Sequence, residues 1–227
     1  MTAAIIDITR PLGPSTDAWP GDAPFELRWT RTHADAVAAV SCVQFSPHLG
    51  THLDAPLHLQ PDGLDVAGIP LTVCVGPCEL VGLPGHDLPI SEVDLPSGWK
   101  PAAPRVLFAT QTWPTGAPIP GRFASVSPGL VDALADAGVV LVGIDTPSLD
   151  QPDAAALPAH RQCLAHSIAI LEGLDLTGVA PGAYTLVAAP LRLSRVEASP
   201  VRAFLLPATT VAPGAVERVG PIRTPGA

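Results

Sequence analysis

Short apolar runs divide the chain into many brief elements. Residues 5–9, 25–32 and 37–46 carry many β-branched and apolar side chains, and they predict three strands near the N-terminus. The same criterion predicts further strands at 71–75, 79–83, 105–112, 168–171, 184–193 and 201–206. The run 139–145 is apolar almost throughout, which is typical of a strand that is buried on both faces.

A helix is predicted just before that buried strand. Ser127 is a favoured N-cap residue, and Pro128 suits the first helical position. Apolar residues at 130, 134 and 137 share one face, and Gly138 ends the pattern. Because strand 139–145 follows directly, the order predicts a right-handed strand–helix–strand crossover. A second, short helix is predicted near residues 158–166.

The composition narrows the fold class. The chain has 28 prolines among 227 residues, more than twice the usual share of about 5%. So many prolines exclude a long helical bundle, and an apolar content of 47% excludes disorder. We therefore predict one α/β domain over residues 1–227, with a mixed β-sheet or barrel-like core, few helices and a Pro/Gly-rich tail at about 208–227.

The net charge and the apolar pattern argue against nucleic-acid and membrane partners, and the cysteine spacing argues against a disulfide framework. The net charge is −9 and Lys100 is the only lysine, so no basic surface for nucleic acid is expected. Neither a signal peptide nor a run of 18 apolar residues is found, so no membrane partner is expected. Four irregularly spaced cysteines are interpreted as buried, reduced thiols of a cytoplasmic protein: Cys42, Cys74, Cys78 and Cys163.

The chemistry is concentrated between residues 48 and 58. This segment holds His48, His52, Asp54 and His58, and imidazole and carboxylate are ligands for divalent metals. A glycine and a proline within it argue against a helix. In an extended chain the even spacing would place all four groups on one side, where burial requires a metal or hydrogen bonds. The alternative is that they are separate polar loop residues.

The pattern H-x-G-T-H-x-D-A-P-x-H resembles the signature of the cyclase-like metal-dependent hydrolases at every fixed position. The likeness continues in W-P-G-D at 19–22, G-I-D-T-P-S at 143–148, E-G-L at 172–174 and S-P-V-R at 199–202. The W-P-G-D and S-P-V-R segments narrow it to the kynurenine formamidase (arylformamidase) branch. This resemblance implies a swivelling β/β/α type of fold.

The resemblance also implies two divalent cations per subunit, normally zinc. Carried over by residue, one ion would bind His48, His52 and Asp54. The other would bind Asp54, His160 and Glu172, so Asp54 would bridge the pair. One carboxylate can span the roughly 3.5–4 Å between paired catalytic metals.

This pairing constrains the local structure between His160 and Glu172. Twelve residues of continuous helix would separate the two Cα atoms by about 18 Å, too far for both side chains to bind one ion. The helix near residues 158–166 must therefore end early, and residues 168–171 should return as a strand.

Two further residues have competing interpretations. His58 is a fifth ligand, a structural loop histidine or a general acid/base, and the resemblance favours the acid/base. Trp19 is either a packing anchor in its loop or a wall for an aromatic substrate, and the resemblance favours the substrate role.

The implied reaction is hydrolysis of N-formyl-L-kynurenine to L-kynurenine and formate, in tryptophan degradation, by a cytoplasmic homodimer. A small-molecule substrate is thus the expected partner. One alternative is another cyclase-like hydrolase that acts on a cyclic amide such as isatin. A second is a non-catalytic metal-binding domain, which would close its coordination and need no acid/base such as His58.

Overall fold

A computed structural model describes residues 5–208, and most of the predicted tail at about 208–227 lies outside this range. Thirteen strands are described: β1 (Ile6–Asp7), β2 (Glu26–Arg31), β3 (Val40–Gln44), β4 (His52–Asp54), β5 (Val75–Gly82), β6 (Pro89–Ile90), β7 (Arg105–Ala109), β8 (Ser125–Val126), β9 (Leu141–Ile144), β10 (Ala169–Glu172), β11 (Gly182–Val187), β12 (Ala198–Pro200) and β13 (Phe204–Pro207). The described α-helices are α1 (Leu71–Cys74), α2 (Pro128–Asp136) and α3 (Pro158–Ala165). None of them is long and apolar enough to cross a bilayer.

Nine strands form one mixed sheet in the order β1-β13-β11-β5-β7-β9-β10-β4-β12. The four central strands β5, β7, β9 and β10 are parallel, whereas the pairings toward both edges are antiparallel. This confirms the prediction of a single α/β domain with a mixed sheet and few helices.

Both faces of the sheet are covered. Successive residues of β7 alternate between two apolar clusters, as strand geometry requires: Val106 and Phe108 pack with α2 and α3, and Leu107 packs on the opposite face. Strand β9 lies at the centre of the sheet with all four residues buried. This explains why its sequence is continuously apolar.

Helix α2 forms as the sequence predicts. The Ser127 hydroxyl accepts a hydrogen bond from the Leu130 N–H at 3.2 Å, and Pro128 is the first helical residue. Gly138 follows the helix with a φ of +85°, a conformation that favours glycine. Strands β7 and β9 on either side of this helix are parallel neighbours.

The predicted strand at 71–75 is wrong, because residues 71–74 form the single turn α1. A short apolar run does not distinguish a strand from a buried helical turn. Here the turn presents the carbonyls of Thr72 and Val73 to the guanidinium of Arg105, which is fully buried and lies far away in sequence.

The strand predictions near the C-terminus are also too long. The predicted strand at 184–193 ends at Val187, before Pro190. The predicted strand at 201–206 begins three residues later, since the observed β13 covers Phe204–Pro207. Proline lacks the N–H that a continuing ladder would use, so β11 is not extended through Pro190.

Three of the four cysteines agree with the prediction of buried thiols, and one does not. Burial raises the pKa values of Cys74, Cys78 and Cys163 to about 12, so these thiols stay protonated. Cys42 is exposed instead, because it lies on β3, which pairs only with β2.

The β2–β3 hairpin stands apart from the main sheet. Every residue of both strands is exposed, including Leu27, Trp29, Val40 and Val43. Isolated two-stranded hairpins are marginally stable in water, and exposed apolar side chains of this size often mark an interface.

Candidate metal centre

Strand β4 places two functional side chains opposite a third. It lies between β10 and β12, and its antiparallel register with β10 sets His52 directly across from Glu172. Asp54 follows His52 by two residues and therefore projects from the same face. The sheet thus brings His52, Asp54 and Glu172 together, although 118 residues separate Asp54 from Glu172 in the sequence.

Two glycines allow the segments before β4 and after β10 to approach closely. Gly50 and Gly173 have φ values of +68° and +65°, and a Cβ atom on Gly173 would lie 2.0 Å from the Gly50 carbonyl oxygen. The Thr51 hydroxyl donates a 2.6 Å hydrogen bond to the Gly173 carbonyl across this contact. The glycines of the G-T-H and E-G-L segments are therefore required by the site's own geometry.

Only part of the 48–58 segment is a strand. His48 lies in the turn before β4, and His58 ends a 3₁₀ turn over Pro56–His58. A single strand from 48 to 58 is therefore not formed, because proline interrupts the ladder. The turns nevertheless bring the rings together: His58 lies 4.4 Å from His48 and 5.9 Å from His160, between ring centroids.

The predicted local structure around His160 is confirmed. Helix α3 carries His160 and ends at Ala165, and the chain returns as strand β10, which carries Glu172 at its end. The Leu149 N–H donates a 2.6 Å hydrogen bond to Glu172 Oε1 and fixes that carboxylate.

Asp54 lies at the centre of the five side chains predicted as metal ligands. Its Oδ1 is 3.1 Å from His48 Nδ1 and 3.4 Å from His52 Nε2, and its Oδ2 is 3.5 Å from His160 Nε2. Glu172 completes the group, because its two oxygens lie 3.2 Å from His52 Nε2 and 3.2 Å from His160 Nε2. The structure therefore assembles all five residues in one cluster.

Charges in the cluster stabilise one another against the cost of burial. Burial opposes ionisation of Glu172, yet the charge of His160 lowers the pKa of this carboxyl to about 2. Burial likewise opposes a charge on His48, but Asp54 raises its pKa to about 9. Burial opposes ionisation of Asp54 as well, yet the neighbouring rings of His160 and His48 hold its pKa well below its usual value. Both carboxylates stay ionised, which is the form that binds a cation.

Several buried polar atoms in this cluster lack a hydrogen-bond partner. They are His52 Nε2 and both carboxylate oxygens of Asp54, and Asp54 is only 5% exposed. Leaving a buried charge unsatisfied is expensive, and nitrogen and oxygen donors of this kind bind divalent cations. Ligand atoms of His52, Asp54 and Glu172 lie within 4.8 Å of one another, as do those of His48, Asp54 and His58. The residues present fit a metal centre, and His58 lies within reach of it.

The sequence model of the Cyclase family matches residues 6–151, more than half of the chain. The chain belongs to the Cyclase family. This confirms the family resemblance drawn from the His-rich motif, whereas the formamidase branch remains a prediction.

Solved structures share this fold over almost the whole chain. One, described as a potential metal-dependent hydrolase with cyclase activity, is 28% identical with a TM-score of 0.79 and covers 92% of this chain and 100% of its own. A predicted metal-dependent hydrolase from Bacillus stearothermophilus is 28% identical with a TM-score of 0.77, covering 90% and 98%. Isatin hydrolase A from Ralstonia solanacearum is 23% identical with a TM-score of 0.77, covering 90% and 92%.

Sequence reasoning missed the groups that face the second ring nitrogen of each histidine in this cyclase-family site. His160 Nδ1 lies 2.8 Å from Asp150 Oδ2, and His48 Nε2 lies 3.6 Å from Glu197 Oε1. His52 Nδ1 lies 3.0 Å from the Gly50 carbonyl. Asp150 follows the G-I-D-T-P-S segment at 143–148 by two residues, but no spacing in the sequence links it to His160.

A cleft of about 370 Å³ opens onto the cluster. Trp19 lines it and packs edge-on against Phe123, with ring centroids 6.4 Å apart. Trp113 lines it as well, and the Arg10 guanidinium lies 3.7 Å from the centre of the Trp113 ring. Trp19 thus lines the same cleft as the candidate metal-binding side chains, together with a second tryptophan that the sequence did not single out.

Proposed function

We propose that the protein is a metal-dependent amide hydrolase that cleaves N-formyl-L-kynurenine to L-kynurenine and formate. The observation that carries this proposal is the set of unpartnered buried atoms on His52 and Asp54, next to a cleft lined by Trp19. Such a cluster fits a cation, and the cleft fits an aromatic small molecule.

We assign one cation to His48, His52 and Asp54 and a second to Asp54, His160 and Glu172, with zinc as the metal. Cations held by these residues would lower the pKa of a water molecule toward about 7 and would polarise the substrate carbonyl. Asp54 and Glu172 supply negative charge for them, since both carboxylates stay ionised.

His58 is assigned as the general acid/base. Its ring lines the cleft and lies beside His48 and His160. Burial, with the positive charges of its neighbours, lowers the pKa of His58, so the neutral imidazole is the prevailing form near pH 7. A ring nitrogen can then accept the proton of the attacking water and return it to the amide nitrogen as the arylamine leaves.

The rim of the cleft favours a substrate with an ammonium group. Three carboxylates line it, Asp17, Asp22 and Glu197, and the described lining includes no lysine or arginine. N-formyl-L-kynurenine carries an α-ammonium group beyond its ring, whereas isatin has none. These carboxylates can pair with the ammonium group of the amino-acid tail, although its α-carboxylate has no cationic partner in the described lining, and isatin offers no such ammonium group.

Comparing three substrates tests the proposal. The metal-loaded protein should hydrolyse N-formyl-L-kynurenine with a higher kcat/KM than formanilide, which lacks the amino-acid tail, and than isatin. Preferred hydrolysis of isatin would favour the cyclic-amide alternative. No turnover of any of the three, by a protein that still binds metal, would favour a non-catalytic metal-binding domain.

We also propose that two copies associate through the β2–β3 hairpin, in the cytoplasm. The exposed apolar side chains on this hairpin support a homodimer, and the three buried thiols suit a reducing compartment. Light scattering should give twice the monomer mass for the wild type, and Trp29→Glu should reduce it. A monomeric wild type would contradict the dimer.

A further inference from the structure

One buried carboxylate next to the metal centre has no role in the assignments above. Asp150 is 3% exposed and lies behind His160, on the side of the ring that faces away from Asp54 and Glu172. Its Oδ2 is 2.8 Å from His160 Nδ1. The inference that follows rests on the proposed metal centre and not on the identity of the substrate.

The backbone of α3 fixes this carboxylate. Asp150 Oδ1 accepts the Ala159 N–H at 3.0 Å, and Oδ2 accepts the His160 N–H at 3.1 Å. These are N–H groups of the first helical turn, which have no partner within the helix. The N-cap residue, Leu157, has a left-handed backbone and offers no side-chain cap. Asp150 therefore supplies the missing cap, and the helix supplies the hydrogen bonds that hold Asp150 still.

This arrangement determines which nitrogen of the His160 ring faces Asp54 and Glu172. Both Asp150 oxygens already accept backbone N–H groups, so the arrangement that fits this acceptor is His160 Nδ1–H donating to Oδ2. The other ring nitrogen, Nε2, then points at Asp54 and Glu172, 3.5 and 3.2 Å from their nearest oxygens. A ring that keeps its proton on Nδ1 presents the Nε2 lone pair to a cation.

We propose that Asp150 is the positioning residue of the metal centre, which fixes His160 with its proton on Nδ1 and leaves Nε2 as the metal-binding atom. The other two histidines are held less firmly. His52 Nδ1 uses the neutral carbonyl of Gly50, and His48 Nε2 faces Glu197 at 3.6 Å. The Glu197 side chain is 38% exposed, compared with 4% for Asp150.

The first test measures metal affinity, with a matched control. Asp150→Asn keeps the size of the side chain but replaces one acceptor oxygen with a donor NH₂ group. Zinc affinity, from competition with a chelating dye, should fall about 10- to 100-fold. The control is Asp132→Asn, which changes a carboxylate bound to His166 near the other end of α3, 2.6 Å from its ring. The control should keep wild-type affinity.

The second test does not depend on a variant. In the zinc-loaded wild type, ¹⁵N NMR of the His160 ring should show the proton on Nδ1 and the zinc on Nε2. A proton on Nε2 would overturn the proposal, and so would wild-type zinc affinity in a folded Asp150→Asn variant. If that variant does not fold, the ring NMR of the wild type decides alone. Neither readout uses N-formyl-L-kynurenine, so failure here is distinct from failure of the proposed reaction.

Discussion

Two histidine–aspartate pairs near the ends of α3 differ in their surroundings. His160 lies 2.8 Å from Asp150 in the first turn, and His166, directly after the helix, lies 2.6 Å from Asp132. The first pair is buried, with both side chains 3–4% exposed. The second is on the surface, where the His166 and Asp132 side chains are 34% and 50% exposed.

The difference lies in what else each pair contacts. Asp132 also accepts from Gln162, and water can reach the rest of that pair, so it resembles an ordinary surface ion pair of small energetic value. Nε2 of His160, the ring nitrogen that faces away from Asp150, lies near two further buried carboxylates, those of Asp54 and Glu172. Neither oxygen of Asp54 has a hydrogen-bond partner. A histidine–aspartate pair alone therefore indicates little, whereas unsatisfied buried neighbours indicate a cation site.

The largest expected effect comes from replacing Asp54, the buried carboxylate near the His160 ring. Asp54→Ala should lose both ions, because Asp54 is the residue assigned to bridge them, and activity should fall by more than the roughly 100-fold typical of a supporting residue. Glu172→Ala should weaken chiefly one ion. Metal analysis of both purified variants checks this, with Asp132→Ala as the surface control. Two tightly bound ions in Asp54→Ala would refute the bridging role.

Next in size is the effect of removing His58. If this residue is the acid/base, His58→Ala should keep near-normal metal content and lose about 10²- to 10⁴-fold in turnover. Metal content and kcat are measured on the same preparation. Because His58 lies within reach of the cluster, a parallel loss of metal and activity would identify it as a ligand instead.

A smaller effect is expected at the cleft. An aromatic contact contributes about 0.5–1.5 kcal/mol beyond the area it buries, so Trp19→Ala should lower kcat/KM for N-formyl-L-kynurenine about 2- to 12-fold. Metal content should be unchanged. A small aliphatic formamide has no ring to stack, so its kcat/KM should fall less. Equal fractional losses on both substrates would mean that Trp19 supports the fold or the metal loop.

The smallest effect should come from Glu197. Its side chain is partly exposed and lies 3.6 Å from His48 Nε2, so Glu197→Gln should weaken zinc binding by less than about 5-fold. The same dye competition used for Asp150→Asn measures this. If Glu197→Gln costs as much affinity as Asp150→Asn, burial is not what distinguishes the two supporting carboxylates.

Elements with local start and stop signals were predicted from the sequence more accurately than segments without such signals. Helix α2 has an N-cap, a proline at its start and a glycine after it, and all three are used as expected. The run at 71–75 had no such signals. Its conformation depends on Arg105, thirty residues later, which needs carbonyl partners in the core. Tertiary contacts of this kind leave no mark on a short segment.

The residues of the candidate site divide in the same way, into those marked by a local motif and those brought together only by the fold. His48, His52 and Asp54 are close in sequence, and the motif alone predicted them as ligands. His160 and Glu172 were linked to them only through the family resemblance, because sheet register and helix packing set their distance from Asp54. Asp150 was missed entirely, since its partner lies on a helix whose position relative to the loop is fixed by the fold.

The buried cluster is proposed to make this protein a metal-dependent amide hydrolase. The most direct measurement is the rate of L-kynurenine formation from N-formyl-L-kynurenine by protein stripped of metal with a chelator, and again after zinc is returned. The structure predicts no measurable activity without metal and full recovery as zinc approaches two equivalents per chain. Undiminished cleavage by protein shown to be free of metal would contradict the claim.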